Sequence, residues 1–258
     1  MGRNLSEEQL IKHKDSALKS LDRYMTALIT DGDRGDRGNQ GKSDKLSYWL
    51  EDWITFLEFE AQFSPLSLRR YKRGEIIKAH LGYNVGSEEG GLHYCVVVDR
   101  NNSVNSPVVT IVPLTSVKQK TDLNHLHKGN IYLGNELFRN LNSKILTLQK
   151  KIDDIIIDFE EIAKQKPDSI DSSIAKMEDI TKKAVGAAKE AELLTRMHKE
   201  VQKMKIGSIA LVSQIRTISK IRIYDPKTNH DVLSNVKLSN EKLDLIDTEI
   251  IHNFTGQR

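Results

Sequence analysis

The sequence contains a single cysteine, Cys95, among 258 residues. One thiol excludes an internal disulfide framework and any zinc site built from several cysteines. No run of apolar residues approaches the roughly 18 that a membrane-spanning helix needs. The first residues also lack the apolar stretch of a signal peptide. We therefore expect a cytoplasmic protein without a membrane contact.

A large excess of charge of one sign is also missing. The chain has 39 Lys and Arg against 36 Asp and Glu, which gives a net charge of +3 at pH 7. This balance excludes a uniformly basic nucleic-acid coat but leaves room for a local basic groove. Hydrophobic residues make up 38% and charged residues 29% of the chain, which is typical of a polar globular protein rather than a disordered one.

Residues 1–71 predict a helical extension. Between residues 5 and 29, apolar residues recur at three- and four-residue steps, and Ser6 stands where a helix cap belongs. A glycine-rich segment at 31–43 predicts a flexible loop. A second helix over 44–62 carries Trp49 and Trp53 on one apolar face, which predicts packing against the main body or a partner. A further hypothesis is that this helix covers the functional groove and inhibits it.

The periodicity changes after Pro65. Short β-branched or apolar runs bounded by turn residues predict strands at 75–81, 93–99, 108–114 and 130–133, and again at 207–213 and 217–224. A terminal helix is predicted over 239–251. The valine-rich runs at 96–98 and 108–112 predict strands buried on both faces, as in a small barrel.

A helical hairpin is predicted over 135–205, between the two groups of strands. Apolar residues there follow the 4-3 spacing of a coiled-coil seam, and Lys166-Pro167-Asp168-Ser169 interrupts it. The fold class is therefore α+β, with one β-domain formed by residues 72–134 and 206–258 and the hairpin inserted in one of its loops. The seam residues are Leu141, Ile145, Leu148, Ile152, Ile155, Phe159 and Ile162 in the first helix, and Ile180, Ala184, Ala187, Ala191, Leu194 and Val201 in the second.

Five motifs follow one another in the β-rich segments. They are Arg73-Gly74-Glu75, the glycine-rich loop 85–91, the strand Tyr94–Val98, the segment Ile111–Ser116 and, after the hairpin, Ser213–Lys220. This ordered series resembles the MazF/PemK family of toxin endoribonucleases from toxin–antitoxin modules. The resemblance implies a small curved antiparallel barrel, a homodimer and an antitoxin partner. It also implies cleavage of single-stranded RNA without metal or cofactor, with the ribose 2′-hydroxyl as internal nucleophile.

Two residues are the candidate catalytic groups. The resemblance places a catalytic hydroxyl at Thr115, whose alternative role is that of a strand-end threonine that satisfies a backbone group. His93 stands where the family pattern GG-x-R-P has its arginine, and the proline is absent as well. One interpretation is that His93 transfers protons near neutral pH. The other is a lost site, which leaves an RNA- or protein-binding module that retains the barrel.

The remaining candidates are predicted to contact RNA. For the glycine-rich loop, the alternative is a tight turn between strands, and for Gln214 it is a hydrogen-bonded corner of the barrel. Some family members have an acid where Ser213 stands, so we do not expect acid-assisted chemistry at that position. His125 and His127 have too few neighbouring ligands to predict a metal site. The predicted RNA-binding residues are Ser87, Glu88, Gly90, Gly91, Ser116, Gln214 and Arg216.

Overall fold

The computed structural model describes residues 5–30, 38–164, 170–205 and 207–255, which contain five α-helices and a seven-stranded antiparallel sheet. The chain forms two compact units, residues 1–62 and 63–258. The division comes before the predicted boundary at residue 71. The reason is that Tyr71 is fully buried in the core of the second unit, where its hydroxyl donates to the carbonyl of Pro226 at 2.7 Å.

The first unit is a pair of helices, α1 (Glu7–Thr30) and α2 (Asn39–Glu60). Ser6 caps α1 as predicted, since its hydroxyl accepts from the amide of Gln9 while the Gln9 side chain accepts from the amide of Ser6, a reciprocal capping box. Helix α2 begins earlier than predicted, so residues 39–43 are helical rather than loop. The rest of the predicted loop, 31–37, lies outside the described residues. Leu46 of α2 is buried, whereas Trp53 of the predicted apolar face is exposed.

The sheet of the second unit joins strands from both sides of the hairpin. Its order is β4-β5-β3-β2-β1-β7, and β6 pairs with the first half of β3. This confirms the α+β class. Among the described residues the end strands do not pair with each other, so the sheet is not closed. The strands are β1 (Ile76–His80), β2 (Leu92–Val97), β3 (Val108–Ser116), β4 (Asn130–Gly134), β5 (Ser208–Leu211), β6 (Arg216–Ser219) and β7 (Ile223–Asp225).

Both faces of the central strands are buried. Alternate side chains of a strand point to opposite faces, so Val96 and Val112 lie in one core while Val97 and Ile111 lie in the other. Burial on both faces explains why these runs are continuously apolar, as the sequence analysis predicted. The first core is also lined by the hairpin and by the terminal helix α5 (Asn240–Phe254).

The hairpin consists of α3 (Glu136–Lys164) and α4 (Ile170–Lys203). Ion pairs between Lys151 and Glu190 and between Lys183 and Asp158 join the two helices in antiparallel order. The predicted seam of α3 is buried at its base but not towards the tip. The prediction for α4 was partly wrong, because the base of α4 faces the sheet core as well as α3. Its buried residues are Leu193 and Met197, whereas Ala184 and Ala191 are exposed.

Lys144 fastens the base of the hairpin to the loop that precedes α5. Its ammonium donates to the carbonyls of Asp231, Val232 and Ser234 at 3.1, 2.9 and 2.8 Å. Burial lowers the pKa of Lys144 to about 8, so the group is charged at pH 6.

We expect Lys144→Met to lower the free energy of unfolding at pH 6 by about 2–4 kcal/mol in urea titrations, because three carbonyls lose their donor. Lys150→Met, at an exposed position of α3, is the control. Equal stability of the two variants would contradict the prediction.

Candidate active site

A cleft of about 170 Å³ lies between the ends of β2 and β3 and the base of the hairpin. We call it the His93 cleft. The antiparallel register pairs Cys95 with Pro113, and continuing it brings His93 alongside Thr115. The structure therefore places three predicted site residues, His93, Thr115 and Ser116, in one cleft. The other lining residues are Leu92, Tyr94, Leu114, Leu137, Lys203, Met204, Lys205 and Ser208.

His93 is held between two oxygen acceptors. Its Nδ1 lies 3.2 Å from the carbonyl oxygen of Leu114, and its Nε2 lies 3.1 Å from the carboxylate of Glu89. A neutral imidazole can donate a hydrogen bond to one of these two oxygens, and an imidazolium can donate to both. The side chains of His93 and Glu89 keep 27% and 25% of their surface exposed. The pair is therefore ordered by the fold and still open to a substrate.

Glu89 is the site residue that the sequence analysis missed. The prediction named the neighbouring Glu88, which is exposed, and noted that position 213 holds a serine where some family members have an acid. The carboxylate instead comes from the loop between β1 and β2, four residues before His93. An acid just upstream of a histidine is a weak pattern by itself. The contact between Glu89 and His93 is evident only from the folded conformation of this loop.

The loop between β1 and β2 closes on itself through its glycines. The amide of Gly91 donates to the carbonyl of Gly82, and the amide of Leu81 donates to the carbonyl of Gly91, both at 2.7 Å. A side chain at Gly90 would begin 2.7 Å from the Gly82 carbonyl oxygen, which is too close for any Cβ. Gly90 and Gly91 therefore form a tight turn, which is the alternative given above for this loop. The turn determines the path of the segment that carries Glu89.

Gln214 ties this loop to the strands that follow the hairpin. Its side-chain oxygen accepts from the amide of Glu89 at 2.6 Å, and its side-chain nitrogen donates to the carbonyl of Ser87 at 3.3 Å. Arg216 donates to the same oxygen of Gln214 at 3.3 Å. This is the hydrogen-bonded corner given above as the alternative for Gln214. Neither Gln214 nor Arg216 lines the His93 cleft, and both support it through Glu89.

Comparison with known families supports the resemblance. Residues 72–152 match the model of the PemK-like, MazF-like toxins of type II toxin–antitoxin systems. This match confirms the predicted resemblance to the MazF/PemK family over these residues. It covers β1 to β4 and the first half of α3, and so includes both His93 and Thr115. A search of curated proteins found no match. Within the described residues, every helix is too short or too polar to span a bilayer.

A second cleft adjoins the PemK-like segment on the other side of Thr115 and Ser116. It has a volume of about 440 Å³ and is lined by Lys118 and Lys120 of the loop that follows β3. We call it the loop cleft. His125 and His127 line it too, and a hydrogen bond from His125 lowers the pKa of Asp122. Among the described residues there is no group of three His, Cys, Asp or Glu side chains that could hold a metal.

Cys95 lies two residues after His93 on the same face of β2, where that face is covered by the second core. Its thiol is completely buried in the second core, and this burial raises the pKa of the thiol well above its usual value. A protonated, inaccessible thiol cannot act as a nucleophile. Cys95 is therefore not among the groups that can act on a substrate at this end of the sheet.

Proposed function

We propose that this protein is the toxin of a toxin–antitoxin module and that it is an endoribonuclease specific for single-stranded RNA. The observation that carries the proposal is that His93 and Thr115 of the PemK-like segment line one cleft, with the carboxylate of Glu89 3.1 Å from Nε2 of His93. The reaction implied by the family uses the ribose 2′-hydroxyl as nucleophile and needs no metal. A cleft open to solvent suits such a substrate, because a single strand presents its phosphates and sugars without a duplex partner.

The paired side chains offer one base and one acid. In the proposed reaction, the 2′-oxygen attacks the adjacent phosphorus, and the bond from phosphorus to the 5′-oxygen breaks. The carboxylate of Glu89 takes the 2′-proton, and the imidazolium of His93 protonates the departing 5′-oxygen. The products are a 2′,3′-cyclic phosphate and a free 5′-hydroxyl. Return of a proton from Glu89 to His93 restores the enzyme.

Thr115 and Ser116 are proposed to hold the scissile phosphate. The Thr115 hydroxyl has no hydrogen-bond partner among the described residues, although it lines both the His93 cleft and the loop cleft. A free donor beside the acid–base pair can stabilise the negative charge that develops on the phosphoryl oxygens. Ser116 lines the same two clefts and can contact the neighbouring nucleotide.

Purified full-length protein should cut a long single-stranded RNA in the presence of EDTA. The expected products are discrete fragments that end in a cyclic or a 2′- or 3′-phosphate, because the internal nucleophile leaves phosphate on that side. Denaturing gels and end analysis give the measurement. A preparation carrying Thr115→Ala controls for contaminating ribonuclease. Intact RNA at high concentrations of wild-type protein would overturn the proposal.

The second candidate function is a binding module without catalysis. The observation that favours it is His93 itself, because the family's arginine and the following proline are both absent here. Such a protein binds RNA in the same clefts with a strong salt dependence and yields no fragments. The same EDTA experiment, run beside a binding assay, separates the two functions. We also propose a homodimer and an antitoxin partner, both on the strength of the family match.

A further inference from the structure

The hairpin contributes two cations to the candidate active site. Lys203 is the last residue of α4 and Lys205 follows it, and both line the His93 cleft opposite His93 and Thr115. Both lysines are exposed. No carboxylate belongs to the lining of this cleft, and the nearest one described at the site, that of Glu89, is in contact with His93. A phosphate placed there would therefore meet two positive charges from the insertion.

Neither cation is held in a close ion pair by a neighbouring acid. Among the described residues, neither Lys203 nor Lys205 forms an ion pair. The nearest acid on the same helix is Glu200, and its carboxylate is already engaged by the ammonium of Lys78 and the hydroxyl of Tyr94. Although burial acts in the other direction, these hydrogen bonds lower the pKa of Glu200. Glu200 is thus a charged partner of Lys78 that also interacts electrostatically with Lys203 without forming an ion pair with it.

The basic character continues away from the His93 cleft along α4. Lys203 also lines a further cleft of about 210 Å³, together with Lys199, Arg196 and Lys78 and with two acidic residues, Glu200 and Asp225. We call it the Lys199 cleft. In that cleft Lys78 is paired with Glu200, and Arg196 lies 3.7 Å from Asp231. Lys199, like Lys203, forms no ion pair among the described residues. On the opposite side of Thr115, the loop cleft adds Lys118 and Lys120.

We propose that Lys203 and Lys205 bind backbone phosphates of the RNA, so that the hairpin is part of the substrate site and not only an interaction arm. The inference rests on the proposed function for its substrate. It gives the insertion a role at the position where the family's arginine is missing. The strand would run from the Lys199 cleft past Thr115 to the loop cleft, and the lysines would hold the nucleotides on the hairpin side. Lysine suits this task because it contacts a phosphate as a point charge without needing a fixed geometry.

The structural alternative is that the lysines only stabilise the end of α4. A cation in the last turn interacts favourably with the helix dipole, and Lys203 occupies that turn. Lys205 lies beyond the helix, where this effect is weaker. The two roles give different measurements. Loss of a dipole contact lowers the melting temperature, whereas loss of a phosphate contact changes the affinity for RNA and its dependence on salt.

The test compares full-length proteins that carry two Lys→Gln substitutions each. One carries Lys203→Gln and Lys205→Gln. The matched control carries Lys182→Gln and Lys189→Gln, which remove the same charge from exposed positions of α4. Lys189 lies roughly 21 Å from Lys203 at about 1.5 Å per residue along the helix. The probe is a single-stranded oligoribonucleotide of mixed sequence, and Thr115→Ala is included in the binding arm to keep it intact.

We expect KM for cleavage to rise about tenfold in the variant at 203 and 205, since each lost phosphate contact weakens binding. We expect kcat to change less than about twofold, because the lysines bind the strand and leave proton transfer to other groups. The slope of log Kobs against log salt should fall by about 1.4 in magnitude, because each phosphate contact of a single strand accounts for about 0.7. Lys203→Arg with Lys205→Arg should restore both values, and the control pair should leave them unchanged.

An unchanged KM and salt slope, or an equal change in the control pair, would overturn the inference. A lower melting temperature with an unchanged slope would assign the lysines to the helix end alone. If the variant fails to fold, photocrosslinking of thiouridine RNA to wild-type protein replaces it, and crosslinks must then fall within residues 199–208. If wild-type protein binds RNA but never cuts it, the proposed function fails, while the salt slopes still decide the role of the lysines.

Discussion

His93→Ala and Thr115→Ala are each expected to lower kcat/KM for single-stranded RNA at least about 100-fold, the scale of a lost acid, base or oxyanion donor. The ring nitrogens of His93 contact the carbonyl oxygen of Leu114 and the carboxylate of Glu89. Alanine removes the proposed acid and leaves Glu89 without its partner. At Thr115, alanine removes the hydroxyl that faces both clefts. Cleavage of an end-labelled RNA under single-turnover conditions gives the rates.

His252→Ala is the matched control, because this histidine is exposed on α5 and lies outside the clefts described above. It should retain wild-type activity. Circular dichroism and thermal melts should show that the two site variants remain folded. Full activity of both site variants would contradict the assignment of the His93 cleft as the catalytic site. A large loss in only one of them would keep the cleft and redistribute the roles within it.

The positions of most strands along the chain were predictable from local patterns. Turn residues and β-branched runs mark them, and the observed strands lie within or beside the predicted ranges, although the single strand predicted at 217–224 is divided into β6 and β7. The hairpin was predictable because its apolar spacing persists over seven seam positions. The motif order from Arg73 to Ser116 then gave the resemblance to the MazF/PemK family, which the match over residues 72–152 confirms for that segment. These features depend on residues close together in the chain, which a single sequence displays.

The connections within the site were not predictable in the same way. Glu89 reaches His93 only because Gln214, 125 residues further along, fixes the loop that carries it. The cations of the His93 cleft come from the end of the hairpin, and no local sequence pattern predicts which part of the sheet that end lies against. For α4 the seam prediction selected Ala184 and Ala191 because it assumed a single partner helix. The sheet is a second partner at the base, and it buries Met197 instead.

The motif residue Glu75 illustrates a role that the family pattern leaves open. Its carboxylate lies 2.9 Å from the guanidinium of Arg69, and both side chains are less than 8% exposed. The same carboxylate accepts from the amide of Lys72, and Arg69 also donates to Asn235 at 3.1 Å. Among the described residues, two further nitrogens of Arg69 are buried without a partner. The pair therefore joins the entry to β1 to the loop before α5 and depends on both charges being present.

Glu75→Ala is accordingly expected to lower the free energy of unfolding by about 3–5 kcal/mol, because it leaves the charge of Arg69 buried and unpaired. Glu88→Ala, at an exposed position, should change it by less than about 0.5 kcal/mol. The double variant Arg69→Met with Glu75→Leu should recover most of the loss, since apolar side chains can replace a buried ion pair at little cost. Urea titrations of the three proteins give the values. If Glu75→Ala lowers the free energy of unfolding no more than Glu88→Ala does, Arg69 is solvated in solution and the prediction is wrong. If the double variant is as unstable as Glu75→Ala, Glu75 stabilises the fold through the Lys72 amide rather than through the ion pair.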